Sequence, residues 1–408
     1  MSEHTQRITW IMMSIIALCL SVATALLFLK SLQAMPAQAR SPYLIAYISD
    51  RTYISDRSGT YRTHICDLEG REIPTPMEFQ PGDVLPVCES LAPGSNRKPR
   101  LAFIRFEAQP GTMSSNQVGT PGSVYVVTYS EKEGVKVSGK VPRILPIVPA
   151  WSPDGKELAF AGVEDLNGDG QFSKEEAGIY VCNVERGGVR RVATVYPVGW
   201  HLRWSPTDPL LILQIEKANV PVPVAYVLDL TNGQLIAKDD ATISACWSPN
   251  GQFIAVYSFA DRKIHILNKT GSEEYAIKTP DGVVVDMQWL PAKEVASAED
   301  KGYLLVTSAQ DPRSSSGKLY LRSASASGAE SWLSLTAPNP EVSAAYPAVS
   351  PDGRYLAYTL MVTHANPRGG APVLDADLYV LELGKDEPRR LTTDPGFEGF
   401  PTWIPVGK

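Results

Sequence analysis

Beyond residue 40 the chain alternates short apolar runs with polar turns. Runs such as Leu158–Phe160, Leu210–Leu213, Phe253–Tyr257 and Tyr355–Tyr358 are too short for helices and are bounded by Gly, Pro, Ser and Asp. Short apolar runs between such turn residues are typical of β-strands. The pattern therefore predicts an all-β chain between residues 43 and 408.

One turn signature recurs at the end of the first strand in each predicted group. It reads Trp-Ser-Pro-Asp-Gly at Trp151–Gly155 and returns, with variations, at Trp204–Pro206, Trp247–Gly251, Trp289–Pro291, Ser350–Gly353 and Trp403–Pro405. Pro has the φ that the second position of a turn needs, and Gly adopts the positive φ that brings the chain back antiparallel.

Each internal turn is followed by the second, third and fourth predicted strands of its group, and the third strand is centred on Tyr or His. These third strands lie near His64, Tyr125, Tyr180, Tyr226, His265, Tyr320 and Tyr379, and fourth strands follow at positions such as Arg190 to Val195. A period of roughly 40 to 60 residues for four strands is that of a propeller blade. Hairpins of a β-sandwich are the alternative, but a sandwich has no reason to repeat one Trp-Ser-Pro turn at the same point.

These motifs resemble the TolB-like, WD40-like propeller repeat. The segment Pro347–Thr393 matches most of that repeat, and Ser49-Asp50-Arg51 and Ser55-Asp56-Arg57 match its Ser-Asp-Arg element. The resemblance covers nearly all of the chain after the N-terminal segment. It implies a propeller and an exported protein, but it specifies no activity.

The count of third strands predicts a propeller of seven four-stranded blades, with six or eight as alternatives. The first strand, at Tyr43, follows the N-terminal segment almost directly, and the last strand, Phe400–Pro405, has no successor. We expect these two strands to pair and so close the ring, which removes exposed sheet edges.

Composition narrows the function classes. The 408 residues are 44% hydrophobic and 20% charged, which is typical of a folded chain with a large core. The net charge of -6 argues against a nucleic-acid-binding surface, which would normally be basic.

The N-terminal residues Ile8–Leu29 carry no charge and are followed by Lys30. At about 1.5 Å per residue this stretch can cross a bilayer core of roughly 30 Å as a helix. A cleaved signal peptide is the alternative, since Ala37-Gln38-Ala39 is an Ala-x-Ala site. We predict an uncleaved helix within residues 1–30, a linker over 31–42, and a propeller outside the cytoplasm, in the periplasm or at the cell surface; charge alone does not fix the orientation.

Residues Asp165–Glu176 match the twelve-residue calcium loop at each diagnostic position. The ligands would be side-chain oxygens of Asp165, Asn167, Asp169, Ser173 and Glu176 and the carbonyl of Gln171, with Gly170 at the sharp turn. Strands, not helices, are predicted on both sides, so the loop is expected between the second and third strands of one blade. We predict a structural Ca²⁺ site; a solvated acidic loop is the alternative.

The remaining reactive residue types suggest no catalytic motif. Cys66 and Cys88 could form a disulfide in an oxidising compartment, but buried free thiols are the favoured interpretation. His64 and His265 take the place of a third-strand Tyr and are assigned to packing. There is no Gly-x-Ser-x-Gly elbow and no second domain for a hydrolase triad.

Two inserts, Glu107–Gly122 and Met361–Asp375, are expected to be mobile surface loops or, alternatively, a partner surface. The sequence thus predicts a non-catalytic scaffold that binds a protein, peptide or cell-envelope component and reaches the membrane through its N-terminal helix. A lyase or hydrolase with its site in the central channel is the alternative.

Overall fold

The computed structural model describes the propeller region with short gaps, and residues 1–41 lie outside the described part. The described residues are 42–50, 61–74, 76–91, 97–107, 118–220, 222–236, 239–290, 302–314, 316–326, 332–336, 342–364, 373–385, 387–394 and 396–406. The predicted membrane segment and the Ala37-Gln38-Ala39 site therefore lie outside it. In the described part, no helix has the length and apolar character needed to cross a bilayer.

The described chain is almost entirely antiparallel β-structure. In the first half the strands are β1 (Tyr43–Ser49), β2 (Arg62–Cys66), β3 (Asp83–Cys88), β4 (Arg100–Phe106), β5 (Thr120–Thr128), β6 (Val135–Lys136), β7 (Arg143–Ile144), β8 (Ala150–Trp151), β9 (Glu157–Val163), β10 (Ala177–Asn183), β11 (Val189–Thr194), β12 (Pro197–Trp204), β13 (Leu210–Ile215) and β14 (Val224–Asp229). In the second half they are β15 (Leu235–Ile236), β16 (Thr242–Trp247), β17 (Phe253–Ser258), β18 (Lys263–Asn268), β19 (Glu273–Lys278), β20 (Val283–Leu290), β21 (Tyr303–Ala309), β22 (Ser316–Ser323), β23 (Leu333–Ser334), β24 (Val342–Val349), β25 (Tyr355–His364), β26 (Val373–Glu382), β27 (Arg389–Arg390) and β28 (Glu398–Pro405).

In the described part the strands form antiparallel sheets of three, nine, four, four and eight strands, and the two four-stranded sheets, β12-β13-β14-β15 and β16-β17-β18-β19, run in chain order. Two short pairs, β5 with β7 and β22 with β24, link neighbouring sheets at their edges. The first strand of one sheet follows the last strand of the sheet before it. This is the architecture of a β-propeller, as the repeat predicted.

The terminal strands pair as predicted. β28 lies antiparallel to β1, with Tyr43 opposite Pro405 and Ile45 opposite Trp403. The Trp403 indole donates a hydrogen bond to the Ala348 carbonyl at 2.9 Å, and the Cys88 amide donates to the Thr402 hydroxyl at 3.2 Å. The C-terminal strand therefore lies between β24 and β3 and supplies the first strand of the sheet that contains β1 and β2.

The Ser-Pro-Asp-Gly turn has the geometry that its residues predict. The Gly155 amide donates to the Ser152 carbonyl at 2.9 Å, and Gly155 has a φ of 70°. The Ser152 hydroxyl donates to Asp154 at 2.7 Å and accepts the Glu157 amide at 2.9 Å. This one side chain thus satisfies a backbone donor and orients a carboxylate, so the turn closes without a ligand or partner.

The tryptophan of the repeat joins neighbouring sheets. The indole N–H of Trp151 donates to the carbonyl of Val87 at 3.1 Å, and that of Trp247 donates to Arg203 at 3.2 Å. In both cases, as for Trp403, the acceptor lies one residue before the equivalent position in the preceding sheet. The repeated Trp therefore fixes the spacing of adjacent sheets with the same bond.

Aromatic rings from the second and third strands stack on each other in several of the strand groups. Phe160 and Tyr180 lie 5.5 Å apart, and Tyr358 and Tyr379 lie 6.0 Å apart. Phe160, Tyr180 and Tyr358 are almost fully buried. Of the third-strand tyrosines that suggested the repeat, Tyr180 is a core residue, whereas Tyr125, Tyr226, Tyr320 and Tyr379 are partly exposed.

The predicted bounds of the two inserts are wrong. Thr120, Pro121 and Gly122 belong to β5, and Met361 begins a continuation of β25 that pairs with β26 as far as His364 opposite Val373. Met-Val-Thr-His has the β-branched character of a strand, so the hairpin continues where the family motif stops. The centres of both inserts, 108–117 and 365–372, lie outside the described residues.

Candidate functional site

Because neighbouring strands run antiparallel, the connections between them lie at two opposite ends of each sheet. The connections between first and second strands, which contain the Ser-Pro turns, lie at one end, here called the turn end. The connections between second and third strands lie at the other, here called the insert end, together with the start of each first strand. The described residues of these insert-end connections include 164–176, 216–220, 222–223, 259–262 and 310–314.

The predicted calcium loop lies at the insert end, between β9 and β10, as expected. The sequence prediction of flanking strands is confirmed, and the described helical structure in the loop is a single 3₁₀ turn over Lys174–Glu176. Gly168 and Gly170 have φ values of 76° and 77°. These left-handed residues let the chain fold back over itself, and a Cβ at either position would meet open space.

The side chains at the start of the loop turn inward onto its backbone. Asp165 Oδ1 accepts the Gly168 amide at 2.7 Å, and Asp165 Oδ2 accepts the Gly170 amide at 2.9 Å. Asn167 Oδ1 accepts the Asp169 amide at 2.9 Å, and Asp169 Oδ1 accepts the Gln171 amide at 2.7 Å. The first part of the loop is therefore held by its own carboxylate and amide oxygens.

Glu176 closes the loop from the other side. Its carboxylate accepts the Leu166 amide at 2.9 Å and both the amide and the hydroxyl of Ser173, at 3.1 and 3.2 Å. The Glu176 side chain is buried, with 6% of the residue exposed. These hydrogen bonds, first that from the Ser173 amide, hold the pKa of Glu176 below its usual value of 4.5. The carboxylate is thus fixed in its ionised form.

The loop supplies oxygen ligands but does not gather them into a closed cluster. Among the described residues, no group of three or more His, Cys, Asp or Glu side chains is placed to hold a metal ion. Asp165, Asp169 and Glu176 engage backbone donors, and no Lys or Arg in the described part forms an ion pair with them. The oxygen atoms of the loop are of the type that binds a hard cation such as Ca²⁺. To bind the ion, the carboxylates would have to give up their hydrogen bonds to backbone amides.

The loop is joined to the preceding sheet through Phe172. Its carbonyl accepts the Val118 amide at 2.8 Å, and the Arg143 guanidinium lies 4.9 Å from the Phe172 ring centre. Arg143 also donates to the carbonyls of Val118 and Gly119, at 2.9 and 2.5 Å. Phe172 therefore anchors the loop to the connection that precedes it in the chain.

A second candidate site lies between the first strands, and the sequence analysis did not find its residues. Seven residues lie three positions before a repeated Trp or its equivalent at the end of a first strand; they are Leu85, Val148, His201, Ser244, Asp286, Tyr346 and Phe400. At most of these positions the first strand has a bulge against its partner. A bulge re-aims one side chain, so these positions give the space between the first strands its chemistry.

Three of these bulged residues have a strained backbone. Leu85, Tyr346 and Phe400 have φ values of 54°, 51° and 54°, and each precedes a proline. A positive φ raises the backbone energy of a residue with a bulky side chain, so it persists where the direction of that side chain matters. Tyr346 and Phe400 stack with ring centres 3.8 Å apart, and Trp200 contacts Tyr346 edge-on at 5.7 Å. These aromatic rings therefore fill part of the space between the first strands, here called the channel.

Polar side chains line the same space as these rings. Arg203 donates to Asp286 at 2.5 Å and to the Met287 carbonyl at 2.6 Å, which joins β12 to β20. Burial and the nearby positive charge of Arg203 lower the pKa of His201 to about 4, so its imidazole is neutral at pH 7. His201, Arg203 and Asp286 line one cavity of about 110 Å³ at the insert end.

The periodicity could have identified these channel residues from the sequence. Counting back three residues from each Trp, once the repeat is aligned, gives the same set of positions. The Trp by itself marks only the turn. The periodicity does not show which of these positions lie close together in space. That depends on the curvature that brings β12 near β20, which is a property of the whole assembly.

The histidines and cysteines behave largely as predicted. His64 stacks near Tyr47 at 5.9 Å, and each third-strand histidine also contacts a carboxylate eight residues later, Glu72 for His64 and Glu273 for His265. Cys66, Cys88, Cys182 and Cys246 are free thiols. Burial is the main cause that raises the pKa of the Cys246 thiol to about 12.

Comparison with known proteins gives structural similarity only. No family model matches the chain. No curated protein matches it either. The structure is similar to TolB from Acinetobacter baumannii, with a TM-score of 0.47, 15% identity, and coverage of 89% of this chain and 67% of that one.

Two other solved structures are similar at the same level. The β-propeller domain of Cps50 (Swd1) from Myceliophteria thermophila has a TM-score of 0.45, 15% identity, and coverage of 74% of this chain and 85% of that one. Hydrazine synthase from Kuenenia stuttgartiensis has a TM-score of 0.44, 14% identity, and coverage of 67% and 80%. Similarity at this level does not extend to the ligands or activities of these proteins.

Proposed function

We propose that the protein is a non-catalytic binding scaffold whose insert end holds a protein, peptide or cell-envelope ligand. The observation that supports this proposal is the difference between the ends: self-contained Ser-Pro turns recur at one, whereas dissimilar connections and the channel cavity share the other. Variable loops on a rigid scaffold are where binding residues concentrate.

The scaffold is proposed to have seven blades and to be anchored by the helix predicted over Ile8–Leu29, with the propeller in the periplasm or at the cell surface. Dividing the nine-stranded and eight-stranded sheets at the short β5–β7 and β22–β24 pairs gives seven sets of strands. The uncharged N-terminal segment and the resemblance to exported propellers support the anchor and the compartment.

Site-specific photo-crosslinking in native membranes tests the scaffold. The full-length protein would carry the photoreactive residue at Leu166, exposed at the insert end, or at Lys156, exposed at the turn end. We expect a discrete crosslinked product from the Leu166 position and none from Lys156. Equal products from both positions, a product from Lys156 alone, or no product would contradict the proposal.

We further propose that Asp165, Asn167, Asp169, Gln171, Ser173 and Glu176 bind Ca²⁺ in a structural role. The oxygen donors, the two left-handed glycines and the buried Glu176 carboxylate support it. Isothermal titration of the protein with Ca²⁺ should show one binding event that Glu176→Gln abolishes. Titration heat that is absent, or unchanged in the variant, would favour a solvated acidic loop.

An enzyme with its site in the channel is the second candidate, because His201, Arg203 and Asp286 converge on one cavity. Its small volume and the Arg203–Asp286 ion pair favour binding over turnover. Turnover of envelope polysaccharides or peptides by the purified protein, lost in His201→Gln, would establish the enzyme instead.

A further inference from the structure

The insert-end cavity of about 110 Å³ contains a buried hydroxyl group that the fold does not use. The Thr307 hydroxyl lines it, and Thr307 is 1% exposed and has no hydrogen-bond partner for this group among the described residues. An unpaired buried hydroxyl is destabilising, whereas a methyl group of the same shape would not be. The retention of Thr307 beside a cavity therefore points to a group that enters and forms a hydrogen bond with it.

The charged side chains of the cavity lining already have partners or are neutral. Arg203 donates to Asp286 at 2.5 Å. Burial is the main cause that lowers the pKa of His201 to about 4, so its imidazole is neutral at pH 7. Arg313 also lines the cavity and already interacts with another group. The described lining therefore offers a ligand mainly neutral hydrogen-bonding groups.

These neutral groups include both donors and acceptors. The neutral imidazole of His201 has one of each, and the hydroxyls of Thr307 and Ser244 can act as either. The Gln214 side-chain amide donates to the Ile243 carbonyl at 2.6 Å, which leaves its oxygen as an acceptor. A ligand hydroxyl donates and accepts at the same time, so it matches this mixture better than an anion or an ammonium group does.

Trp200 adds an exposed aromatic surface to the same cavity. It lines the cavity with 41% of the residue exposed, and its ring centre lies 5.7 Å from that of Tyr346 and 5.5 Å from that of Phe400. The face of an aromatic ring is electron-rich and attracts C–H groups that carry a partial positive charge. A pyranose ring has such C–H groups on its faces and hydroxyls around its edge, so it suits an aromatic face beside neutral hydrogen-bonding groups.

We propose that this site binds a neutral pyranose unit of a cell-envelope glycan. The sugar ring lies against Trp200, and one of its hydroxyl groups enters the cavity and pairs with Thr307, because a cavity of this volume holds a few heavy atoms rather than a whole ring. The described lining contains one carboxylate, Asp286, whereas glycoside hydrolysis by the usual route needs two, so the glycan is bound without being cleaved. The inference rests on the proposed ligand-binding role of the insert end and names the class of ligand there.

Direct titration tests this inference. The full-length protein, in a detergent without a sugar headgroup, would be titrated with chitotriose, a neutral trisaccharide of N-acetylglucosamine. Sorbitol, which has hydroxyls but no ring, and hexaproline, a neutral peptide suited to aromatic surfaces, are the comparison ligands. We expect calorimetry and saturation-transfer NMR to show chitotriose binding at least about tenfold more tightly than sorbitol. No binding of chitotriose, equal binding of sorbitol, or binding of hexaproline in its place would overturn the proposal.

Substitutions at Thr307 and Trp200 test the two parts of the site. Thr307→Val should weaken chitotriose binding about threefold to tenfold, the range expected for one lost hydrogen bond between neutral groups, and Thr307→Ser should restore it. Trp200→Ala should weaken binding by about tenfold or more, and Trp200→Phe by less, because Phe keeps an aromatic face. Unchanged binding in Thr307→Val or in Trp200→Ala would contradict the site.

Thr359→Val is the matched control. Thr359 occupies the same strand position in β25, is buried without a partner for its hydroxyl among the described residues, and does not line the cavity. Thr359→Val should leave chitotriose binding unchanged. Neither valine variant should lower the temperature of thermal unfolding, since each replaces an unpaired hydroxyl with a methyl group. Equal effects of the two valine variants on binding would mean that Thr307 does not contact the sugar.

The crosslinking experiment at Leu166 distinguishes the two levels of proposal. If the Leu166 crosslink forms and chitotriose does not bind, only the glycan inference fails. If neither result is obtained, the insert end is not the binding surface, and the scaffold proposal fails with it.

Discussion

The turn end and the insert end use the same residue types, Ser, Asp, Asn and Gly, with opposite regularity. At the turn end Ser152, Ser248 and Ser350 each bond an Asp or Asn two residues later and accept the amide five residues later. At the insert end Asp165 and Asn167 bond their own loop, and no other connection in the described part repeats this arrangement. Residues that repeat from sheet to sheet therefore have structural roles. Residues that depart from the repeat mark the positions at which the sheets can differ in what they bind.

The largest effect is expected for the tryptophan that joins the C-terminal strand to its neighbours. Trp403 is 5% exposed, packs edge-on against Tyr43 at 5.8 Å and donates to Ala348. Trp403→Ala should lower the free energy of unfolding by about 3–5 kcal/mol. Trp200→Ala, which changes the half-exposed tryptophan at the insert end, should lower the free energy of unfolding by clearly less. Urea unfolding of both variants measures the difference, and equal losses would contradict a division between a structural and a binding end.

The turn serine gives a smaller and more selective effect. Ser350→Ala removes an acceptor for the Tyr355 amide at 2.9 Å and a donor to Asp352 at 2.6 Å, which should cost about 1–2 kcal/mol. Ser205 provides the comparison, because its hydroxyl accepts two long bonds, from Thr207 and Asp208, at 3.4 and 3.3 Å.

Ser205→Ala should therefore cost less than half as much in the same unfolding assay. A loss for Ser205→Ala as large as that for Ser350→Ala would show that packing, not this hydroxyl, sets the stability of the turn.

Sequence reasoning performed differently at the two ends. The turns, the third-strand aromatics and the pairing of the terminal strands follow from local chemistry, because Pro, Gly and Trp each serve one conformational or packing need. The continuation of β25 through Met361 was missed because the family motif, rather than strand propensity, was used to set its limit. The contact of Arg203 with Asp286 was also missed, since it joins strands that are 83 residues apart in the chain.

The contribution of the calcium-type loop to stability should depend on pH. The pKa of Glu176 is lowered in the folded protein by hydrogen bonds from Ser173, Leu166 and Asn167. Its ionised form therefore contributes stability that is present above its usual pKa of 4.5 and is lost as pH falls through the lower folded value. Glu176→Gln should be less stable than the wild type at about pH 7, and the difference should shrink towards about pH 3.

Glu175→Gln is the matched control for the pH experiment, since Glu175 is the exposed neighbour in the same 3₁₀ turn. Chemical unfolding across the pH range should show no pH-dependent difference between this variant and the wild type. A difference for Glu176→Gln that is constant with pH would mean that lost packing, rather than the buried carboxylate, accounts for the change.

The smallest effect on stability is expected at the tip of the calcium-type loop. Leu166 is 56% exposed, so Leu166→Ser removes little buried surface and should change the free energy of unfolding by at most about 0.5 kcal/mol. Its backbone amide still donates to Glu176 at 2.9 Å, so the loop keeps its closure. If the insert end binds the ligand, the same substitution should weaken partner capture although the thermal unfolding curve is unchanged. A fall in stability of more than about 1 kcal/mol would place Leu166 in the structural part of the molecule and remove the contrast between the two ends.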